Sequence, residues 1–266
     1  MTTSYFRQVA NDLSGLLIDS GLADRIRLLE GEIAGRIVFT TSFGLEDQAL
    51  THALRDAGSR AEIVTLDTGR LFPESYDTWA ETEAAFDIRI RAFAPERQAE
   101  EDYVARRGIN GFRHSLDARE ECCGFRKVEP LNRALAGAVV WYTGLRAGQS
   151  ANRASTPVVE FDPARNLLKV NPLADWTRAD VDTYVHEHSV PYNVLHDRGF
   201  PSIGCAPCTR AVRIGESERA GRWWWEQEMK KECGLHLRPQ PSAIPAGEPA
   251  PIEAQSQTSA KTREFA

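Results

Sequence analysis

An open, mainly parallel α/β sheet with helices on both faces is the fold class this sequence predicts, and three observations predict it. Short β-rich runs alternate with stretches of helical periodicity from Ile37 to Thr143, the order that builds parallel sheets through crossover helices. Two polar loops, Ser42-Phe43-Gly44-Leu45-Glu46-Asp47 and Asp67-Thr68-Gly69-Arg70, follow the first and second of those runs, so both should open on one edge of the sheet. At 266 residues the chain can bury one substantial core, which makes one α/β domain with appendages the default.

The elements follow in order. Up to Glu32 the apolar positions Val9, Leu13, Leu16 and Leu17, then Ile26, Leu28 and Leu29, recur at helical spacing. Ile37 to Thr41 is the first β-rich run, followed by a helix from about Asp47 to Arg55. Glu62 to Asp67 is the second, leading into a helix that opens near Pro73, since proline suits a first helical turn. Ile88 to Phe93 is the third, with a helix from Glu96 to Arg106 after it, and Ala138 to Thr143 is the fourth. Val158 to Phe161 and Leu167 to Val170 flank a turn and read as a hairpin. Helices are expected over Arg178 to His188 and Arg219 to Lys231, the second holding Trp223-Trp224-Trp225. Three consecutive tryptophans cannot all face one core. From Pro239 the chain is rich in Pro, Ala, Ser and Gln and poor in aliphatics, which predicts a disordered tail over 239–266.

Composition excludes several classes. A net charge of -6 argues against general nucleic-acid affinity, while local basic clusters can still hold a small anion. No apolar run reaches membrane-spanning length, and Arg7, Asn11, Asp12 and Asp19 break up the first twenty residues, so neither a membrane segment nor a signal peptide is expected. The expectation is a cytoplasmic protein. In that reducing compartment five cysteines read as metal-binding and catalytic rather than as a disulfide framework.

The cysteines divide into two kinds. Cys122-Cys123 and the Cys-x-x-Cys pair Cys205 and Cys208 supply four thiolates, enough for one tetrahedral zinc or one iron–sulfur cluster. Adjacency makes zinc geometry awkward, and a cubane cluster with its irons spread over a larger volume fits better. The plain alternative is a set of ordinary buried cysteines. Cys233 stands apart, beside Lys230, Lys231 and His236, cationic groups that lower a thiol pKa and expose more thiolate. It is the candidate nucleophile.

The loops at Ser42 and Asp67 sit where backbone N–H groups and a helix N-terminus can hold phosphate. Neither is a Walker A sequence or a dinucleotide fingerprint. Arg219 and Arg222, three apart, can equally line a solvated helix face. His52, His114, His186, His188 and His196 show no zinc-ligand spacing and read as core or surface histidines. Phe72, Tyr76 and Trp79 read as packing.

Across residues 35–238 these motifs resemble the adenylylsulfate and phosphoadenylylsulfate reductases of sulfate assimilation. Ser42 to Asp47 resembles that family's modified PP-loop, and Leu66 to Tyr76 its strand-loop segment. Gly144-Leu145-Arg146 is similar to its arginine-bearing loop, and Glu232-Cys233-Gly234-Leu235-His236 to the signature around its catalytic cysteine. The resemblance implies a PP-loop architecture of the adenine nucleotide alpha hydrolase-like kind in a single domain over 1–238, with 1–32 as a helical N-terminal segment. It implies one [4Fe-4S] cluster on Cys122, Cys123, Cys205 and Cys208, the ligand set of the adenylylsulfate branch. Cys233 is then the nucleophile toward adenosine 5'-phosphosulfate, and thioredoxin or a similar dithiol the reductant. Lys127, Arg219, Arg222 and His236 carry the phosphosulfate-binding role with Arg146 nearby, and Ser42, Gly44, Asp67, Thr68 and Gly69 belong to the nucleotide loops. Neither nucleic acid nor membrane is an expected partner, and assembly into a homo-oligomer stays open. The loop at Ser42 lacks the Ser-Gly-Gly-x-Asp-Ser form of ATP-cleaving relatives. A phosphoadenylylsulfate or dual-substrate reductase is the nearest alternative, and a PP-loop ATP pyrophosphatase a more distant one.

Overall fold

Alternating side chains along each central strand must be buried in both directions, and helices supply that cover in a computed structural model that describes residues 3–18, 20–226 and 235. The strands are β1 (Arg36–Thr41), β2 (Glu62–Leu66), β3 (Arg91–Phe93), β4 (Ala138–Tyr142), β5 (Val159–Asp162) and β6 (Leu167–Val170). The helices are α1 (Thr3–Ile18), α2 (Leu22–Glu32), α3 (Leu45–Asp56), α4 (Pro73–Phe86), α5 (Arg97–Arg107), α6 (Leu116–Cys123), α7 (Glu129–Ala134) and α8 (Arg178–Glu187). On one face Ile37 and Phe39 of β1 and Val140 and Tyr142 of β4 pack with Leu13 of α1, Ile26 of α2 and Leu50 of α3. On the other face Val38, Val64 and Trp141 meet Leu131 and Ala134 of α7. The expected two-faced α/β sheet is present.

The sheet order is β3-β2-β1-β4-β6-β5. All neighbours are parallel except β5 with β6, the expected hairpin. From β1 the chain winds outward to β2 and β3, then returns to place β4 on the other side of β1. That reversal is a topological switch point, and it opens a crevice at the carboxyl ends of β1 and β4. Phe43 fixes the loop there: it takes a left-handed φ of +59°, and its buried ring stacks on Trp79 with centroids 5.6 Å apart. Among the described residues no helix is long and apolar enough to cross a membrane.

Three segments differ from the sequence reading. β3 begins only at Arg91, because Asp87 turns left-handed at the end of α4 (φ +49°) and the Ile90 N–H donates to Glu83 Oε1 at 2.7 Å instead of to a strand. The helix expected over Arg219 to Lys231 is absent from its described part, 219–226. Trp223 there has φ +42°, which a helix cannot accommodate, and the backbone bonds to the Cys-x-x-Cys loop, Trp223 N–H donating to Cys208 O at 3.0 Å. Residues 116–134, unassigned from sequence, form α6, a π-helical turn over Gly124–Val128 and α7. Of the three tryptophans Trp223 is buried and Trp224 is 38% exposed, so they do part company. The tail expected over 239–266 lies outside the described residues.

Candidate active site: a cleft joined to a four-cysteine pocket

The crevice at the switch point encloses about 1220 Å³, part of it open to solvent. Ser42 and Gly44 after β1, Thr68 after β2 and Gly144 after β4 wall one side, and Gly204, Arg219 and Arg222 close the other. Ser42 braces its own loop: its N–H and Oγ donate to Asp47 Oδ2 at 2.6 and 2.7 Å. Burial pushes the Asp47 carboxyl up to about 6, against the pull of those two hydrogen bonds. Gly144 passes so close that a Cβ on it would crowd Asp47 Oδ1 and lie 3.2 Å from the Asp47 backbone N, so a larger residue there would push the Asp47 carboxyl aside.

Arg146, expected to bind substrate, does not line the cleft. It is 1% exposed behind the wall, donating from Nε to Glu46 Oε1 at 2.9 Å and from Nη2 to Glu218 Oε2 at 2.8 Å. Burial opposes ionisation of Glu46, yet Arg146 and hydrogen bonds hold it below the usual carboxylate range, while burial pushes Glu218 up. This triad ties the first turn of α3 to the segment that carries Arg219 and Arg222. Asp67 and Gly69 also stand off the cleft: Asp67 Oδ1 accepts from Gly69 N–H at 2.9 Å and from Tyr76 Oη at 2.8 Å, which shapes the loop that presents Thr68.

Among the described residues, Lys127, Arg153, Arg219 and Arg222 bring cationic side chains to the crevice. Arg222 donates to Ile203 O at 3.0 Å, and its buried Nε has no hydrogen-bond partner among the described residues. A donor so placed suits an anionic oxygen. Arg153 escaped the sequence reading. The available signal was its place seven residues beyond Arg146 in the same loop, where it donates to Gln149 Oε1 at 2.6 Å. His196, read as a core or surface histidine, lines the crevice too; its Nδ1 contacts Phe200 O at 2.9 Å while its buried Nε2 has no partner among the described residues.

A second, apolar cavity gathers Cys122, Cys123, Cys205 and Cys208 with Phe112, Trp223, Arg119 and Arg126. Adjacent cysteines reach it together because α6 ends on them and widens at once into the π-helical turn. The other pair is set by a turn of 3-10 helix, with Ala206 N–H donating to Arg70 O at 2.8 Å. Burial pushes Cys122 up and Cys208 to about 12. Cys205 is buried as well, yet Lys127, a 3.3 Å contact with Thr68 Oγ1, and Arg222 bring it below the ordinary thiol value. Four buried thiols against that desolvation need cationic charge to become thiolates, and bound metal supplies it. The four sulfurs line one void, a donor set that an iron–sulfur cluster would fit. Trp223 Nε1, buried without a partner among the described residues, is a donor suited to sulfide or thiolate.

The two cavities meet: Lys127 and Cys205 line both. Cys233 and His236 lie outside the described residues. Leu235 is described; it lines the crevice and packs against the cysteine cluster.

Residues 36–211 match the model of the phosphoadenosine phosphosulfate reductase domain. An adenosine 5'-phosphosulfate reductase of Agrobacterium fabrum is 52% identical over 238 residues, 88% of this chain and 91% of that one. The Allochromatium vinosum protein of the same name is 53% identical over 214 residues, covering 79% and 84%. Among solved structures, phosphoadenylyl-sulfate reductase from Candida auris superposes with a TM-score of 0.66 at 25% identity, over 80% of this chain and 98% of that one. A parallel sheet with its crevice at the switch point, cationic side chains in that crevice and these likenesses lead to one conclusion: the chain belongs to the adenosine 5'-phosphosulfate and phosphoadenosine phosphosulfate reductase family, oxidoreductases of sulfate assimilation.

Proposed function

We propose that this chain reduces adenosine 5'-phosphosulfate to sulfite and AMP, with Cys233 as nucleophile and thioredoxin or a similar dithiol as reductant. The observation that carries the reading is the shared wall, in which Lys127 and Cys205 face a nucleotide-sized crevice on one side and the four-cysteine pocket on the other. Leu235, two residues from Cys233 in sequence, lines the same crevice.

The thiolate of Cys233 attacks the sulfate sulfur, the bond from sulfur to the bridging oxygen breaks, and AMP leaves with that electron pair. Cys233 then carries an S-sulfonate. A dithiol attacks the Cys233 sulfur and sulfite departs; the second thiol resolves the mixed disulfide, so the dithiol's oxidation supplies the two electrons that reduce the sulfur. Attack of an anion on an anion needs positive charge. Lys127, Arg219 and Arg222 provide it from the crevice wall, Arg153 extends it, and His236 joins them through its place in the Cys233 motif. Ser42 and Gly44 hold the nucleotide at the β1 edge with Thr68 beside them on the same wall. A [4Fe-4S] cluster on Cys122, Cys123, Cys205 and Cys208 would supply a staple between two distant segments and a fixed charge beside Lys127.

Intact-mass measurement of anaerobically purified, iron-loaded protein with substrate and no thioredoxin is expected to show a sulfonate adduct that is absent from Cys233→Ser. No adduct, or an adduct persisting on Cys233→Ser, would overturn the mechanism.

The likeness to phosphoadenosine phosphosulfate reductases favours a second substrate carrying a 3'-phosphate. Against it, a 3'-phosphate needs a basic pocket of its own at the ribose, beyond the cations that meet the phosphosulfate, and without one it is left desolvated and unpaired. Adenosine 5'-phosphosulfate is expected to lead by about a hundredfold in kcat/KM, roughly 2.7 kcal/mol. Comparable values for the two nucleotides would make the enzyme dual-substrate.

A further inference from the structure

Arg222 reaches the crevice through a slot that Gly221 and Gly204 keep clear. Its backbone is paired with the Cys-x-x-Cys loop: Thr209 and Arg222 form an antiparallel bridge, Arg210 N–H donates to Gly221 O at 3.0 Å, and Trp223 N–H donates to Cys208 O at 3.0 Å. The two segments come so near that a Cβ on Gly221 would crowd Arg210 O and lie 3.2 Å from the Arg210 carbonyl carbon. At the other end of the side chain, a Cβ on Gly204 would crowd Nη2 and Cζ of Arg222 and lie 2.8 Å from Nη1. The planar guanidinium therefore lies across the bare Gly204 backbone. Its Nη1 donates to Ile203 O at 3.0 Å and to Ser202 Oγ at 3.4 Å, and its Cζ lies 4.9 Å from the centroid of the Trp223 ring. Arg222 is 6% exposed, and Ser202, Gly204 and Arg222 all line the crevice.

A glycine can serve by its backbone freedom or by the room it leaves. Gly204 does not have a left-handed φ, so alanine suits its backbone, and what glycine supplies here is room. The overlap is with the end of a long side chain and not with main chain, so a methyl at this position displaces the guanidinium and leaves the fold in place. Arginine is the cation that uses such a slot, because its charge is spread over a flat, weakly hydrated group; a lysine ammonium has no plane to lay on the chain.

We propose that Gly204 is a positioning residue, whose bare backbone seats the Arg222 guanidinium in the crevice wall where it meets the anionic part of the bound nucleotide. The inference rests on the reading of the crevice as a nucleotide site. Its signature is that Gly204 counts for the anion and not for the nucleoside, and only while Arg222 is present.

Full-length, iron-loaded wild type is compared with Gly204→Ala, Arg222→Ala and the double variant for iron content and for affinity toward AMP and toward adenosine, measured by calorimetric titration. Gly204→Ala is expected to weaken AMP binding about tenfold, the loss of one charge-assisted hydrogen bond, with adenosine affinity within about twofold of wild type and iron unchanged. In the Arg222→Ala background the same glycine substitution should change AMP affinity by less than about twofold, because no guanidinium is left to displace. Equal losses in both backgrounds would sink the proposal, since the methyl would then act on the ligand directly. Wild-type AMP affinity in Gly204→Ala would sink it as well. A parallel loss of adenosine binding or of iron would reduce Gly204 to a packing position. If Gly204→Ala alone does not fold, the double variant decides: it should fold, because Arg222→Ala empties the overlap, and its failure to fold counts against the proposal. These measurements read AMP binding and not turnover. A wild type that binds AMP but forms no adduct on Cys233 therefore overturns the mechanism and leaves Gly204 to be judged by its variants, whereas a wild type that binds no AMP overturns the nucleotide site and this inference with it.

Discussion

The crevice and the cysteine pocket share a wall and are built by opposite means. The crevice takes its residues from the ends of parallel strands, so topology alone brings Ser42, Thr68 and Gly144 together, and Ser42 is held by a local bond to Asp47. Among the described residues no strand enters the pocket. It is made where one helix ends and a Cys-x-x-Cys turn meets a left-handed tryptophan. In the crevice the protein's own hydrogen bonds and ion pairs accommodate its charges, as in Glu46–Arg146–Glu218. In the pocket burial holds two of the thiols above their ordinary pKa. One site is preorganised by the fold, and the other would be completed by the cluster it is proposed to hold.

The largest effect that tests this contrast is expected from Cys205→Ser, because Cys205 lines both cavities. The variant should lose the visible absorption of the iron-loaded protein and essentially all turnover, and it should unfold at lower temperature, since metal binding and folding are coupled. Full activity in a colourless Cys205→Ser protein would separate the pocket from the chemistry.

Lys127→Met sharpens the comparison by removing the shared charge and keeping the shared volume. Iron content should stay at the wild-type level while kcat/KM falls about a hundredfold, roughly 2.7 kcal/mol of transition-state stabilisation. The lysine counts for the crevice if kcat/KM falls at constant iron. If iron and activity fall together, it belongs to the pocket.

This contrast also explains what was legible in the sequence. Strand runs and the loops at their ends follow from local pattern, and that pattern suffices to place Ser42, Gly44 and Thr68 at one sheet edge. The cysteine pairs were legible because thiols at such spacing have few other uses. Relations between distant residues were not. Arg146 meets partners 100 and 72 residues away, and nothing near it in sequence announces that its charge is already engaged. The turn at Arg219 to Glu226 looks helical by spacing, and it departs from a helix because its backbone bonds to the cysteine loop, a tertiary choice that overrides local preference. Adjacent cysteines argued against a shared core on ordinary helical geometry. The π-helical turn after Cys123 is the local exception that brings both inward.

The smallest effect concerns Asp47, and it tests whether the crevice really handles its own charge. Burial raises this carboxyl to about 6 in the folded protein, against about 4 for an aspartate in an unfolded chain. Between those values the folded state holds a proton that the unfolded state has released. Its contribution to stability is therefore full below about pH 4 and is lost as pH rises through 6, with a change of only about 1 kcal/mol between pH 5 and 7.5. Asn at this position cannot ionise, and its carbonyl oxygen can still accept from the Ser42 N–H and Oγ. Asp47→Asn should accordingly gain stability relative to wild type as pH rises from 5 to 7.5, read as a growing difference in thermal midpoint. The growth should be the same in iron-loaded and iron-free protein, because Asp47 belongs to the crevice wall and not to the cysteine pocket. A difference that stays flat with pH would mean that Asp47 ionises normally. A difference that grows only in the iron-free protein would mean that the two sites share their electrostatics more deeply than their common wall, Lys127 and Cys205, implies.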